Sequence, residues 1–250
     1  MTGARGRHGR RVGGAAAAVV GAVLLLFAPS DGRGPVAEAA PATGTTAPAP
    51  TSAGYQQLTG SNWSGWAAVG TGFTRVSAAW SAPAVRCGAP TQVLGPWVGL
   101  GGVATGTVQQ AGLEITCASG QPVYRAWYET APQPPVYHPD PVAPGDRMTA
   151  SVQRTAADYT FTVADTTRGW TRTTHTAHLQ DDHTSAEVVL ESPTGAFPSF
   201  GSITFSGATV DGKPLASYRP VGFESGTTGV RQTRTGPVGG STFTVTYLHQ

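Results

Sequence analysis

Apolar and polar residues alternate with a period of two along most of the chain beyond residue 60. In "RMTASVQR", Met148, Ala150 and Val152 alternate with Thr149, Ser151 and Gln153. "DYTFTV" sets Tyr159, Phe161 and Val163 against polar neighbours, and "STFTVTYL" does the same through Phe243, Val245 and Tyr247. Successive side chains of a strand point to opposite faces, so the pattern predicts half-buried strands. Further strands are predicted near 62–69, 74–81, 95–100, 106–115, 123–130, 169–178, 186–191, 201–209 and 217–224. The turn-forming stretches "PGD", "DGKP" and "TGPVGG" separate them. About a dozen strands with one dry and one wetter face predict an all-β, antiparallel β-sandwich of two large packed sheets. No helix is predicted in this region, and no internal repeat.

Composition supports that class. With 34 Gly, 20 Pro and only 12% charged residues, the chain suits short strands and tight turns better than helices. The first 39 residues read differently. "RGRHGRR" is a basic start, "AAAAVVGAVLLLFA" an apolar run, and "AEA" at 37–39 a cleavage-type site, which together predict a signal peptide. The apolar run falls short of the roughly 20 residues a membrane helix needs. Residues 40–57 read as a Pro/Ala/Thr-rich spacer, and 58–250 as the folded domain. Residues 1–39 hold five arginines against Asp31 and Glu38, a surplus of three. Removing them turns the net charge of +2 into about −1. A basic footprint for nucleic acid is therefore not expected. The expected product is a secreted monomer, free of the membrane once its leader is cut. In an exported chain, Cys87 and Cys117 are expected to form a disulfide rather than to supply a nucleophile.

Candidate chemistry lies in few places. "HTAHLQDDH" gathers His175, His178, Asp181, Asp182 and His183, but histidines three apart on a strand face opposite sides, so no metal and no cofactor are expected. In "SAEVVLESP", Glu187, Val189 and Glu191 share one strand face, away from Ala186, Val188 and Leu190. A carboxylate inside a strand is costly unless a partner or a task holds it. Glu187 and Glu191 stand about 13 Å apart on an extended strand. That exceeds the roughly 5–9.5 Å between paired carboxylates of glycoside hydrolysis. Glu129 with Glu191, taken as neighbours in a sheet, stays open as such a pair. "YRAWYET" puts Arg125, Trp127 and Glu129 on one face, and "TVQQAGLE" places Gln110 two residues before Gly112. Taken alone, Gln110 reads as a structural amide.

Six segments in order resemble the glutamic peptidases, the eqolisin family, and its bacterial members in particular. They are "SNWSGW", "PWVGLGG", "VQQAGLE", "YRAWYE", "VAPGDRMTASV" and "SAEVVLESP". The resemblance runs from about residue 60 to the C-terminus and implies a sandwich of two large antiparallel sheets, of the concanavalin-like jelly-roll type. It implies Gln110 and Glu191 as the catalytic pair, Glu187 as a flanking structural carboxylate, and Trp63, Trp97 and Glu129 as cleft-lining residues that bind substrate. The implied activity is acid endopeptidase action on protein or peptide substrates, with Glu191 as base and acid on water and the Gln110 amide stabilising the oxyanion. In two places the chain departs from the family pattern: Gly101 stands where an aspartate is expected, and Ser192 follows Glu191 where a second aspartate is expected. The other reading is a secreted, non-catalytic β-sandwich module that binds polysaccharide through its tryptophans, or a relative that has lost activity.

Overall fold

The computed structural model describes residues 57–103, 105, 107–177, 184–227 and 230–249. The expected signal peptide and most of the spacer lie outside these residues, as do His178, Asp181, Asp182 and His183. In chain order the strands are β1 (Gln57–Ser61), β2 (Trp63–Val69), β3 (Arg75–Ser81), β4 (Val93–Leu100), β5 (Gln109–Ala118) and β6 (Gln121–Thr130). There follow β7 (Val136–Tyr137), β8 (Arg147–Arg154), β9 (Asp158–Asp165), β10 (Trp170–Ala177), β11 (Ser185–Glu191) and β12 (Ser202–Val210). Last come β13 (Lys213–Pro214), β14 (Val221–Thr227), β15 (Val230–Arg231), β16 (Thr233–Thr235) and β17 (Phe243–Tyr247). One sheet runs β1-β14-β2-β11-β4-β5-β6-β7, with β15 on β14. The other runs β10-β9-β8-β3-β12-β17-β16, with β13 on β12. All pairings are antiparallel except β1 on β14, which is parallel.

The alternation has the expected consequence. Leu94, Val98, Leu100, Ala111, Leu113, Ile115, Val188 and Leu190 of the first sheet share one buried cluster with Val76, Trp80, Met148, Val152, Phe161, Ile203 and Phe205 of the second. This shared core leaves the opposite face of the first sheet free to carry polar groups. Asp211 and Gly212 both take positive φ in the two-residue link between β12 and β13. That is the twist a tight antiparallel hairpin prefers, and it explains the "DGKP" signal.

The differences from the sequence reading are local. The strand expected at 217–224 is entered through a 3-10 turn, Leu215–Tyr218, so β14 starts at Val221. Strand β1 includes Gln57, which the sequence placed in the spacer. The short strands β7, β13, β15 and β16 have too few residues to show a period. His175 sits on β10, its ring against Thr160 and Asp158, in an ordinary surface contact.

Cys87 and Cys117 form the expected disulfide, with a sequence separation of 30 residues. Crosslinking a loop of that length restricts the unfolded chain by roughly 3.5 kcal/mol in the chain-entropy treatment. Reduction, or a Cys87→Ser/Cys117→Ser variant, is therefore expected to lower the unfolding midpoint by several degrees. An unchanged midpoint in reductant would show that the bridge contributes nothing to stability.

Candidate active site

The face of the first sheet turned away from the core holds a second, smaller cluster: Trp97, Val108, Trp127, Ala131 and Val189, with Trp63 and Tyr137 packed against it. Period two places Gln110, Gly112 and Glu114 of β5 on this face, with Arg125, Trp127 and Glu129 of β6 and Glu187, Val189 and Glu191 of β11. The sheet register orders them. Gln110 lies between Gly99 on β4 and Glu129 on β6. Gly112 lies between Trp97 and Trp127, and Glu191 between Gly95 and Trp63. Gln110 and Glu191 thus share a face but not a ladder rung: the β11 residue level with Gln110, across Gly99, is Glu187, and Glu191 lies four residues further along that strand.

The two glutamates of β11 have separate surroundings. Glu187 is fully buried, opposite Gly99 and Ala67. Glu191 is partly exposed and is held by neutral donors. The Asn62 amide donates to Oε1 at 2.7 Å, and the Trp97 indole N–H donates to Oε2 at 3.0 Å. Burial pushes the Glu191 carboxyl up to about 7, against the lowering effect of Trp97, Trp63 and Asn62. Desolvation disfavours the charged form more than these donors favour it.

Gln110 is 6% exposed, and its Nε2 donates to Glu129 Oε2 at 2.5 Å. When Glu129 is ionised it can only accept, so in that form the bond fixes which end of the amide faces it. Burial also pushes Glu129 up to about 7; the Gln110 N–H opposes the rise, while the charges of Glu191 and Glu114 add to it. At the far side of the face, Glu114 accepts from Arg125 at 2.6 Å and from the Tyr137 hydroxyl at 2.9 Å, and the Arg125 guanidinium lies 3.9 Å from the Tyr137 ring centre.

The structure therefore gathers Gln110, Glu129, Glu191, Trp63 and Trp97 on one face. It gives Trp97 a different setting from the one expected: at 1% exposure its ring is covered, and its N–H is engaged by Glu191. Glu129 and Glu191 are not neighbours in the sheet, because β4 and β5 stand between β11 and β6. Trp66, Trp80 and Trp97 are buried and Trp127 is 7% exposed, which leaves little of the open ring surface that a glycan platform needs. At Gly101 the backbone has φ +81°, and a Cβ there would stand 3.1 Å from the Thr107 carbonyl oxygen. Glycine suits that conformation, and the carboxyl beside Gln110 is that of Glu129. Two groups escaped the sequence reading. Asn62 lies within a recognised motif that gives it no role, and the Glu114–Arg125 pair lies across the β5–β6 hairpin, whose register the two-residue Ser119–Gly120 turn sets.

A profile of the Peptidase A4 family matches residues 61–247. The chain belongs to that family. Aspergillopepsin-2 of Aspergillus niger is 29% identical over 178 residues, which is 59% of this chain. The chain spans about 63% of the length of that curated relative. Among solved structures, scytalido-glutamic peptidase with a peptide-based transition-state analogue superposes with a TM-score of 0.66 at 23% identity, covering 75% of this chain and 98% of that one. SCP-B, an eqolisin in complex with the tripeptide Ala-Ile-His, gives 0.62 at 22%, with coverage of 75% and 98%. Aspergilloglutamic peptidase from Aspergillus niger gives 0.55 at 28%, with coverage of 63% and 99%. The A4 sandwich is thus the fold of this chain.

Proposed function

We propose that this Peptidase A4 domain is an endopeptidase whose catalytic pair is Gln110 and Glu191. The observation that carries the reading is the setting of Glu191. Its carboxyl is fixed through both oxygens by neutral donors, on the face that also bears the Gln110 amide. Peptide hydrolysis needs a base for water, a donor for the oxyanion and an acid for the leaving nitrogen. Ionised Glu191 takes a proton from water as the water oxygen bonds to the scissile carbonyl carbon. The carbonyl π electrons move onto oxygen, where the second N–H of Gln110 stabilises them. Collapse of the tetrahedral species breaks the C–N bond, and Glu191 returns its proton to the departing amine. Trp63 and Glu129 border the substrate, and Glu129 also holds the Gln110 amide in its donating orientation. We extend the proposal to export through residues 1–39, and to protein chains as substrates of a monomer.

The pH dependence follows from the Glu191 environment. A free carboxyl would keep its basic form down to about 4.3, the strongly acidic range expected from sequence. With Glu191 pushed up to about 7, the required ionised form declines as pH falls through that value. For an unfolded protein substrate, kcat/KM is expected to fall about tenfold per pH unit below 7. Cleavage should persist in pepstatin, which addresses paired aspartates, and should be lost in Glu191→Gln. Absence of cleavage at every pH between 2 and 8 would overturn the proposed activity. An acidic limb near 4 would instead show that substrate or solvent cancels the effect of burial on Glu191.

A further inference from the structure

We propose that Asn62 is the positioning residue of Glu191, a carboxamide clamp on one carboxyl oxygen working opposite the Trp97 indole on the other. The inference rests on the reading of Glu191 as the base, but its geometry stands apart from that role. Asn62 occupies the one-residue break between β1 and β2 and meets the C-terminal end of β11 twice. Its side-chain Nδ2 donates to Glu191 Oε1 at 2.7 Å, and its backbone carbonyl oxygen accepts the N–H of Ser192, the residue after β11, at 3.1 Å. The bend is pinned on its other side, because Ser61 Oγ accepts the Trp63 N–H at 2.8 Å and donates to the Trp63 carbonyl at 3.2 Å. The break in the strand thus turns the Asn62 side chain toward Glu191.

The chemistry explains why an amide suits this position. One donor on each oxygen fixes the plane of the carboxyl, as a base needs in order to meet water at a constant angle. Donors to the charged form favour it, so Asn62 works against the desolvation that disfavours ionised Glu191. An amide does not titrate, so the clamp stays in place whatever the pH. The other ionisable groups on this face are Glu129, Glu187, Tyr137 and the Glu114–Arg125 pair. The carboxyls cannot favour a neighbouring anion, and the arginine is already bonded to Glu114, so Asn62 and the two indoles are what favours it.

The test compares Asn62→Ala and Asn62→Asp with the parent protein, measuring kcat and KM from pH 3 to 9. It adds a carbon-13 titration of the Glu191 carboxyl. For Asn62→Ala we expect kcat to fall about tenfold or more below pH 7, with KM nearly unchanged, since the lost bond is to a charged group. The acidic limb should move up by about one pH unit, and the loss should shrink at higher pH. Asn62→Asp, nearly the same shape, should move the limb further because two adjacent carboxyls must share a proton. A uniform loss with an unshifted limb and an unshifted carboxyl titration would overturn the inference, leaving Asn62 a structural residue. If Asn62→Ala does not fold, the Asp variant gives the same two readouts. Should Glu191→Gln keep its activity, the proposed mechanism fails, while the carboxyl titration still decides the role of Asn62.

Discussion

Glu191→Gln is expected to lower kcat by at least about 10³ while the protein stays folded. The substitution keeps the shape and removes the titrating group. The two hydrogen bonds can also survive. The oxygen of the introduced amide can accept from Trp97, and rotation of the Asn62 amide lets its oxygen accept from the new NH₂. Loss of activity would therefore report loss of the base rather than collapse of the site. A second readout comes from stability. The Glu191 carboxyl binds its proton more tightly in the folded state, at about 7, than at its ordinary 4.5. A raised carboxyl favours folding below the lower value, and that contribution disappears as pH rises through the upper one. Relative to the parent, Glu191→Gln should thus gain about 1–3 kcal/mol of stability at pH 8 over its value at pH 4. Activity within tenfold of the parent would sink the assignment of the base. A stability difference that is flat with pH would sink the claim that burial raises Glu191.

Gln110→Ala is expected to lower kcat by about 10²–10³ with little change in KM. The amide is proposed to act on the negative oxygen that exists only in the transition state, and an interaction confined to that state appears in kcat rather than in KM. Because an amide does not titrate, the deficit should be constant wherever Glu191 is ionised. The variant also deprives Glu129 of the N–H that opposes its rise, so Glu129 should hold its proton to still higher pH. A variant with more than a third of the parental kcat, or one impaired chiefly in KM, would remove Gln110 from the chemistry and leave it a structural amide. Folding can be checked independently by the disulfide content and the unfolding midpoint.

Much of this arrangement is readable from local patterns, and the rest depends on long-range pairing. Alternation in "SAEVVLE" and "YRAWYET" puts Glu191, Trp127 and Glu129 on the faces where they are found, because strand geometry alone decides the side. It cannot order the strands: local pattern leaves Glu129 and Glu191 open as neighbours, whereas β4 and β5 stand between them. Nor can it tell an open ring from a covered one. Trp97 reads as a cleft wall, yet the covering of its face comes from packing against Val108, just before the neighbouring strand β5, and against Trp63, which is distant from it in the chain. Asn62 is hidden for another reason. It falls at the start of the strand predicted near 62–69, but in the structure it is the one-residue break between β1 and β2, so a period of two does not say where its side chain points. The edge strand β1 falls where the Pro/Ala/Thr-rich composition ends, and its parallel partner β14 lies far along the chain, Gln57 pairing with Gly222.

Gly112 sets a lasting constraint on this molecule. A Cβ there would fall 2.3 Å from the Pro96 carbonyl oxygen and 2.6 Å from Trp97 Cβ, so even alanine would push β4 and β5 apart. The sheet between Trp97 and Trp127 is therefore closed to variation, and under the proposed function new preferences for side chains would have to be written into the connections around it. A library built to alter selectivity should spare this position and randomise the surrounding connections.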